Sequence, residues 1–210
     1  LDKAGLSGKM EASLVKNQDG QLAPNTDRFL LAKDKGRFVG EPVAMVFAET
    51  YAQARAAADM IELEVDDLPV HLELQPGGPN LHEAAPNNVA FDWALGDSAQ
   101  MEAVKAKAAH VLSFEISDNR VICNSMEPRG CWADIEDGRV HLCVNGQGVW
   151  SQKGQLAKML SPPESEIRVT NPDVGGGFGM KAMAYPEYFL AAQAARMPNR
   201  SVRWMSDRSE

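Results

Sequence analysis

The spacing of apolar positions changes several times along the chain, and each change marks an element. Val43-Ala44-Met45-Val46-Phe47-Ala48 is a nearly unbroken apolar run of strand length. Glu49-Thr50 then precede an alanine-rich stretch, Tyr51 to Met60, that reads as a helix. Thr50 is its N-cap, and Gln53, three residues on, is its capping-box partner. Ile61-Glu62-Leu63-Glu64-Val65 alternates at period two, the pattern of a half-buried strand. Residues 29–74 are therefore expected to form a β–α–β unit that folds as a module. Residues 1–28 are polar and irregular, with turn signals at Asp19-Gly20 and Pro24-Asn25.

Gln75-Pro76-Gly77-Gly78-Pro79-Asn80 can continue neither a helix nor a strand, and Pro86-Asn87-Asn88 repeats the signal. A linker is expected over residues 76–109, with a short helix from Asp97 or Ser98 to about Ala108. Then Val111–Ile116, Arg120–Cys123, Gly130–Ile135 and Val140–Val144 read as successive strands. Asp137-Gly138 is the two-residue hairpin signal between the last two. A helix over Ser151–Leu160 is stopped by Pro162-Pro163. A strand (Ile167–Thr170), a glycine-rich loop, a helix (Pro186–Ala195, with Pro186 near its first position) and a strand (Ser201–Trp204) complete the chain. No internal repeat or low-complexity tract is present. The fold class is α/β (α+β).

Charge narrows the partners. The chain of 210 residues carries 21 Lys+Arg against 29 Asp+Glu, a net charge of −8. The imbalance is uneven: 8 basic against 13 acidic groups over residues 1–75, 2 against 4 over 76–109, and 11 against 12 over 110–210. No segment is basic enough to grip a phosphate backbone, so nucleic acid is excluded as a main partner. No apolar run reaches the ~18 residues of a membrane helix. Cys123, Cys131 and Cys143 match no zinc or redox spacing and read as small buried hydrophobes in a reducing compartment. His71, His82, His110 and His141 share no metal-ligand spacing, and no metal ligand is assigned. The chain opens at Leu1 without a signal-like region and closes just after a strand-like run. Both ends are read as cut, as in an excised piece of a longer protein.

The chemistry concentrates in three places. Asp173-Val174-Gly175-Gly176-Gly177-Phe178-Gly179-Met180-Lys181 places four glycines in five residues. Such a run exposes bare backbone N–H groups and permits positive φ, so it can nest a phosphate or oxo group; it can also be a plain surface loop. It is not a Walker A loop, because Lys181 follows Met180 and precedes Ala182. Gly177, Gly179 and Ala182 do fit the dinucleotide spacing, with Asp207 near the end of the unit. A nucleotide-binding α/β module is accordingly the alternative reading, although Pro172 separates these glycines from the preceding strand. In Asn124-Ser125-Met126-Glu127-Pro128-Arg129-Gly130, Glu127 and Arg129 can pair with each other or orient a site. Asn145-Gly146-Gln147-Gly148 sets an amide between two glycines, either as a plain turn or as a donor–acceptor facing a ligand.

Taken together these stretches resemble a known family. Arg37-Phe38-Val39-Gly40-Glu41-Pro42-Val43-Ala44, the alanine-rich helix and Asp66-Asp67-Leu68-Pro69 resemble the a/b hammerhead domain of the xanthine dehydrogenase/aldehyde oxidase family. Met126–Gly130, the Gln147 turn and Gly175–Lys181 resemble the start of its molybdopterin-binding domain, closest to large subunits of the aerobic carbon monoxide dehydrogenase type. The resemblance implies a hammerhead domain over residues 1–75, the linker over 76–109, and the first part of a molybdopterin-binding domain over 110–210. It implies a molybdenum–molybdopterin cofactor in its cytosine dinucleotide form, with Gln147, Gly176, Gly177, Phe178 and Gly179 at that cofactor. It also implies a small-molecule substrate, an iron–sulfur small subunit, an FAD-binding medium subunit and a cytoplasmic location. Purine-oxidising members carry Glu directly after the lysine of this loop, where this chain has Ala182, so a xanthine-type substrate is not expected. The family's catalytic glutamate lies beyond these residues, so no catalytic residue is assigned and the 210 residues alone are expected to be inactive.

Overall fold

Asp137-Gly138 sets the geometry of the only sheet among the described residues. Both residues take positive φ, 50° and 75°, the conformation that matches a tight hairpin to the strand twist. The hairpin joins β1 (Gly130–Glu136) to β2 (Arg139–Val144), antiparallel, with Cys131 opposite Val144 and Glu136 opposite Arg139. A crossover helix, α3 (Trp150–Leu160), carries the chain from β2 to β3 (Ile167–Thr170), which pairs parallel to β2. A second helix, α4 (Pro186–Arg196), leads to β4 (Val202–Met205), antiparallel to β1 on its other side. The strand order is β3-β2-β1-β4. This is a computed structural model in which Met10, residues 15–197 and residues 200–209 are described. Part of the irregular stretch expected over residues 1–28 lies outside those residues.

Strand alternation decides which face is buried. Cys131 and Ala133 of β1, Val140, Leu142 and Val144 of β2 and Ile167 of β3 share one face. They form one buried cluster with Leu156, Met159 and Leu160 of α3 and with Tyr188, Phe189 and Ala191 of α4. A fully buried Leu or Phe side chain contributes about 1.5–3 kcal/mol, so this cluster holds the sheet. Ser161, at φ 66°, ends α3 just before Pro162-Pro163, and Arg196 of α4 donates to the Leu160 carbonyl at 3.2 Å. The other sheet face is polar: His141 packs edge-on against Trp132 and shares a hydrogen bond with Thr170 at 2.8 Å.

The described residues fall into two compact units. The sheet unit contains Met10, 27–72 and the described part of 123–209; the second contains 15–26 and 73–122. In the sheet unit, α1 (Tyr51–Ala58) has the expected capping box: the Gln53 N–H donates to the Thr50 hydroxyl, and the Thr50 N–H donates to the Gln53 side chain. The second unit holds α2 (Ser98–Lys105), capped by Asp97, and a loop organised around Asn88. The Asn88 amide donates to the carbonyls of Gly77 and Pro79, and its oxygen accepts from Leu81. No helix of the described residues is long and apolar enough to cross a membrane.

Four expected strands do not form. Val43–Ala48, Ile61–Val65, Val111–Ile116 and Arg120–Cys123 are in no ladder, so the β–α–β unit over 29–74 reduces to its helix. The reason is pairing. Alternation specifies a face, but a strand also needs a neighbour for its N–H and C=O groups, and none of the described residues supplies one. Most of their apolar side chains stay uncovered, with Leu63 61% and Phe114 76% exposed, although Met45 packs against the core cluster.

Candidate functional site

Topology gathers the candidate residues at one end of the sheet. The turn holding Gln147 and the loop holding the glycines leave the C-terminal ends of the parallel strands β2 and β3. Because β1 is antiparallel to β2, its start lies at the same end, and with it the segment Asn124–Arg129. Ligand crevices in open α/β sheets form outside strand carboxyl ends for this reason.

The loop is fastened to both neighbours. The Gln147 side-chain carbonyl accepts from the N–H of Gly179 at 2.9 Å and of Lys181 at 3.2 Å, and the Gln147 N–H donates to the Lys181 carbonyl at 2.9 Å. Gly177 runs directly beneath: a Cβ there would lie 2.4 Å from Gln147 Oε1. The Gln147 amide nitrogen has no acceptor among the described residues, and the residue is exposed. The main-chain N–H groups of Gly176, Gly177 and Phe178 also donate to no acceptor among the described residues. Gly176 and Gly179 take φ 97° and 89°, and even Phe178 is forced to 51°. At Gly179 a Cβ would meet nothing within 4 Å. The five expected residues therefore come together, with unclaimed donors on Gln147, Gly176, Gly177 and Phe178 and the Gly179 N–H held by Gln147.

Glu127 supplies the other fastening, and here the sequence reading is corrected. It pairs not with Arg129 but with Lys181, whose ammonium lies 2.8 Å from Glu127 Oε2. The same oxygen accepts from the Gly175 N–H at 2.7 Å. Desolvation pushes the Glu127 carboxyl upward, but Lys181, the Gly175 amide and Asn145 together outweigh it and hold the carboxyl below its ordinary value. Arg129 instead pairs with Glu187 at 3.3 Å and lies over the Tyr185 ring, 3.9 Å from its centroid.

Residues to which the sequence assigned no role complete the frame. Asn145 bridges the Pro128 carbonyl and the Gly130 N–H at 2.7 and 2.8 Å. Asn171 donates to the Gly146 carbonyl. Arg208 donates to the carbonyls of Ser125 and Met126 and to the Asn124 side chain. Asn145 and Lys181 left a readable trace, one beside the Gln147 turn and the other at the end of the glycine run. The dinucleotide alternative gains no support. The turn after Gly179 is a single 3-10 turn, Met180–Ala182, the helix begins only at Pro186, and Asp207 is held by Arg55 at 3.0 Å.

The donor set fits an oxo- or phosphate-bearing cofactor: unclaimed amide donors, and nothing among the described residues within 4 Å of where a Cβ at Gly179 would stand. Comparison with known proteins agrees. Residues 81–210 match the molybdopterin cofactor-binding domain, and residues 9–69 match the aldehyde oxidase and xanthine dehydrogenase a/b hammerhead domain. The chain is 39% identical over 188 residues to the nicotine 6-hydroxylase large subunit of Paenarthrobacter nicotinovorans, covering 86% of this chain and 23% of that one. It is 31% identical over 199 residues to the carbon monoxide dehydrogenase large chain of Hydrogenophaga pseudoflava, covering 86% and 25%. Among solved structures, a Cu,Mo-CO dehydrogenase superposes with TM-score 0.80 at 26% identity, over 95% of this chain and 26% of that one. Quinoline 2-oxidoreductase from Pseudomonas putida 86 superposes with TM-score 0.75 at 31% identity, over 98% and 26%. The chain spans about a quarter of the length of the relatives it matches.

Proposed function

The chain belongs to the molybdopterin cofactor-binding family of molybdenum hydroxylase large subunits, and from that premise we propose that Gln147 and Gly176–Gly179 form one wall of a molybdenum–pterin site. The observation that carries this reading is the fixed Gln147 amide: its carbonyl is held by two loop N–H groups, so its NH2 faces outward beside three unclaimed main-chain donors. When bound, the molybdenum–pterin group would supply the redox chemistry for oxidising a small-molecule substrate. Gln147 would donate to an oxygen of that group, and Gly176, Gly177 and Phe178 would donate from the main chain. Preorganised donors of this kind stabilise developing negative charge because they need no reorganisation when it appears. Gly179 leaves the approach open.

The finer readings follow from the family. The cofactor would be the cytosine dinucleotide form, electrons would leave through an iron–sulfur small subunit and an FAD-binding medium subunit, and the complex would be cytoplasmic. The hammerhead domain would occupy residues 1–75, the linker 76–109 and the molybdopterin-binding part 110–210. The gap between the two family matches, 69 to 81, supports a boundary near Gln75.

The test is metal content beside turnover in the large subunit that carries this chain. Gln147→Ala is expected to keep molybdenum while turnover falls by about 10²–10³, the cost of one oxyanion-type donor. Gly179→Val is expected to lower molybdenum and pterin content, because it fills the open approach at a position of positive φ. Full cofactor and full rate in both variants would make the loop a spacer and end this reading.

A further inference from the structure

Lys181 is the one fully buried charged side chain among the described residues, at 0% exposure. Its ammonium therefore cannot serve as a ligand contact, and its partner, Glu127, is 34% exposed. A buried ion pair is a weak stabiliser, since desolvation offsets most of the Coulomb attraction and an apolar pair of similar volume often does as well. What this pair does specify is geometry. Glu127 Oε2 receives both the Lys181 ammonium, at 2.8 Å, and the Gly175 N–H, at 2.7 Å. The Glu127 N–H donates back to the Gly175 carbonyl at 3.2 Å. The contact is flush, since a Cβ at Gly175 would lie 2.5 Å from Glu127 Cβ. At the other end of the loop, the main chain of Lys181 both donates to the Gln147 side chain and accepts from the Gln147 N–H. Lys181 is thus where the two fastenings meet: its side chain secures Gly175 through Glu127, and its backbone secures Gln147.

We propose that Lys181 and Glu127 are positioning residues, a part-buried latch that fixes the curvature of Gly175–Gly179 and so aims the unclaimed donors without touching the ligand. This rests on the reading that the loop borders the cofactor. The latch acts by closing the loop from beneath. With Gly175 and Lys181 both tied down, the free N–H groups of Gly176, Gly177 and Phe178 have a restricted arc in which to point.

Two variants separate this role from a merely structural one. Lys181→Met leaves the Glu127 carboxylate without its counter-ion, whereas Glu127→Leu combined with Lys181→Met leaves no stranded charge. Amide hydrogen exchange on the chain reads the loop, urea unfolding reads the fold, and molybdenum and pterin content of the large subunit that carries the chain reads cofactor retention. In both variants the amides of Gly175 and Gly179, the two in the loop that hold an acceptor, are expected to exchange about ten- to a hundredfold faster, the range for losing a hydrogen bond to a charged group, and cofactor content to fall. The double variant is expected to recover its unfolding midpoint while loop exchange and cofactor loss persist. A merely structural pair would let all three recover together, which would overturn the proposal. Unchanged exchange at Gly175 in both variants would overturn the latch itself. Fast loop amides with full molybdenum content would overturn the positioning role instead, by removing the loop from the cofactor site.

Discussion

Gly177→Ala isolates one contact at the centre of the candidate site. The added Cβ would stand 2.4, 2.5 and 2.8 Å from Oε1, Cδ and Cγ of Gln147. Unstrained contacts need about 3.5 Å, so the Gln147 side chain must retreat by roughly 1 Å. Gly177 carries no positive φ, so backbone strain adds nothing. The retreat breaks the bonds from the Gly179 and Lys181 N–H groups, now 2.9 and 3.2 Å, because neither survives another ångström. Each bond contributes about 0.5–1.5 kcal/mol, and water can replace both at an exposed side chain. The lower half of that range applies, about 1–2 kcal/mol in total. For a chain of this size the unfolding temperature should fall by about 2–8 °C. The assay is a double-mutant cycle with Gln147→Ala, read by chemical and thermal unfolding. Each single change is expected to cost a similar amount, and the two together no more than the larger alone, because both remove the same pair of bonds. Costs that add to within about 0.3–0.5 kcal/mol would refute the argument, since the Gly177 Cβ would then act through something other than Gln147.

Two further outcomes test the electrostatics and the burial. Glu127 is held below its ordinary value in the folded chain, so its stabilising contribution is present above the unfolded value of 4.5 and is lost as pH falls through the lower folded value; urea midpoints measured from neutral to acid pH should fall more steeply for the parent than for Glu127→Gln, and parallel curves would contradict the shift. Burial, followed by the negative charge of Glu187, pushes the Cys131 thiol up to about 12, whereas Cys123 is exposed; alkylation at neutral pH should therefore modify Cys123 first and reach Cys131 only on unfolding, and equal rates would contradict the packing of β1 against α4.

What could be read in advance follows the range of the interaction. The β1–β2 hairpin was legible because its turn is local: Asp137-Gly138 fixes its own φ values and the strands inherit the register. The α1 cap was legible for the same reason, since Thr50 and Gln53 stand three residues apart. The helices α3 and α4 emerged within a residue of expectation, because proline marks the end of one and the start of the other. Ile61–Val65 has as clean an alternation as β2 and still forms no ladder. Alternation is a property of the segment, whereas a ladder is a property of two segments, and the second is not written in the first.

The same division runs through the site. Glycine clustering and a lone amide between glycines are local signals, and they marked Gln147 and Gly176–Gly179. Their convergence is not local. Gln147 and Gly179 lie 32 positions apart and meet because β2 and β3 run parallel, which places the loops after both strands at one end of the sheet. Lys181 was hidden twice over. A lysine beside a mobile-looking glycine run is expected in water, since lysine is almost never fully buried without a partner. Its partner lies 54 positions earlier, in a segment that offers Arg129, two residues away, as a nearer cation. Arg129 is drawn off by Glu187 and Tyr185, on and beside α4, and that leaves Glu127 free to turn inward. The packing of α4 onto the sheet thus decides which cation the acid receives. With Arg129 it would have made an exchangeable pair between near neighbours in the same segment. With Lys181 it ties the segment before β1 to the loop after β3, and the glycine loop is closed from a strand end that its own sequence does not mention.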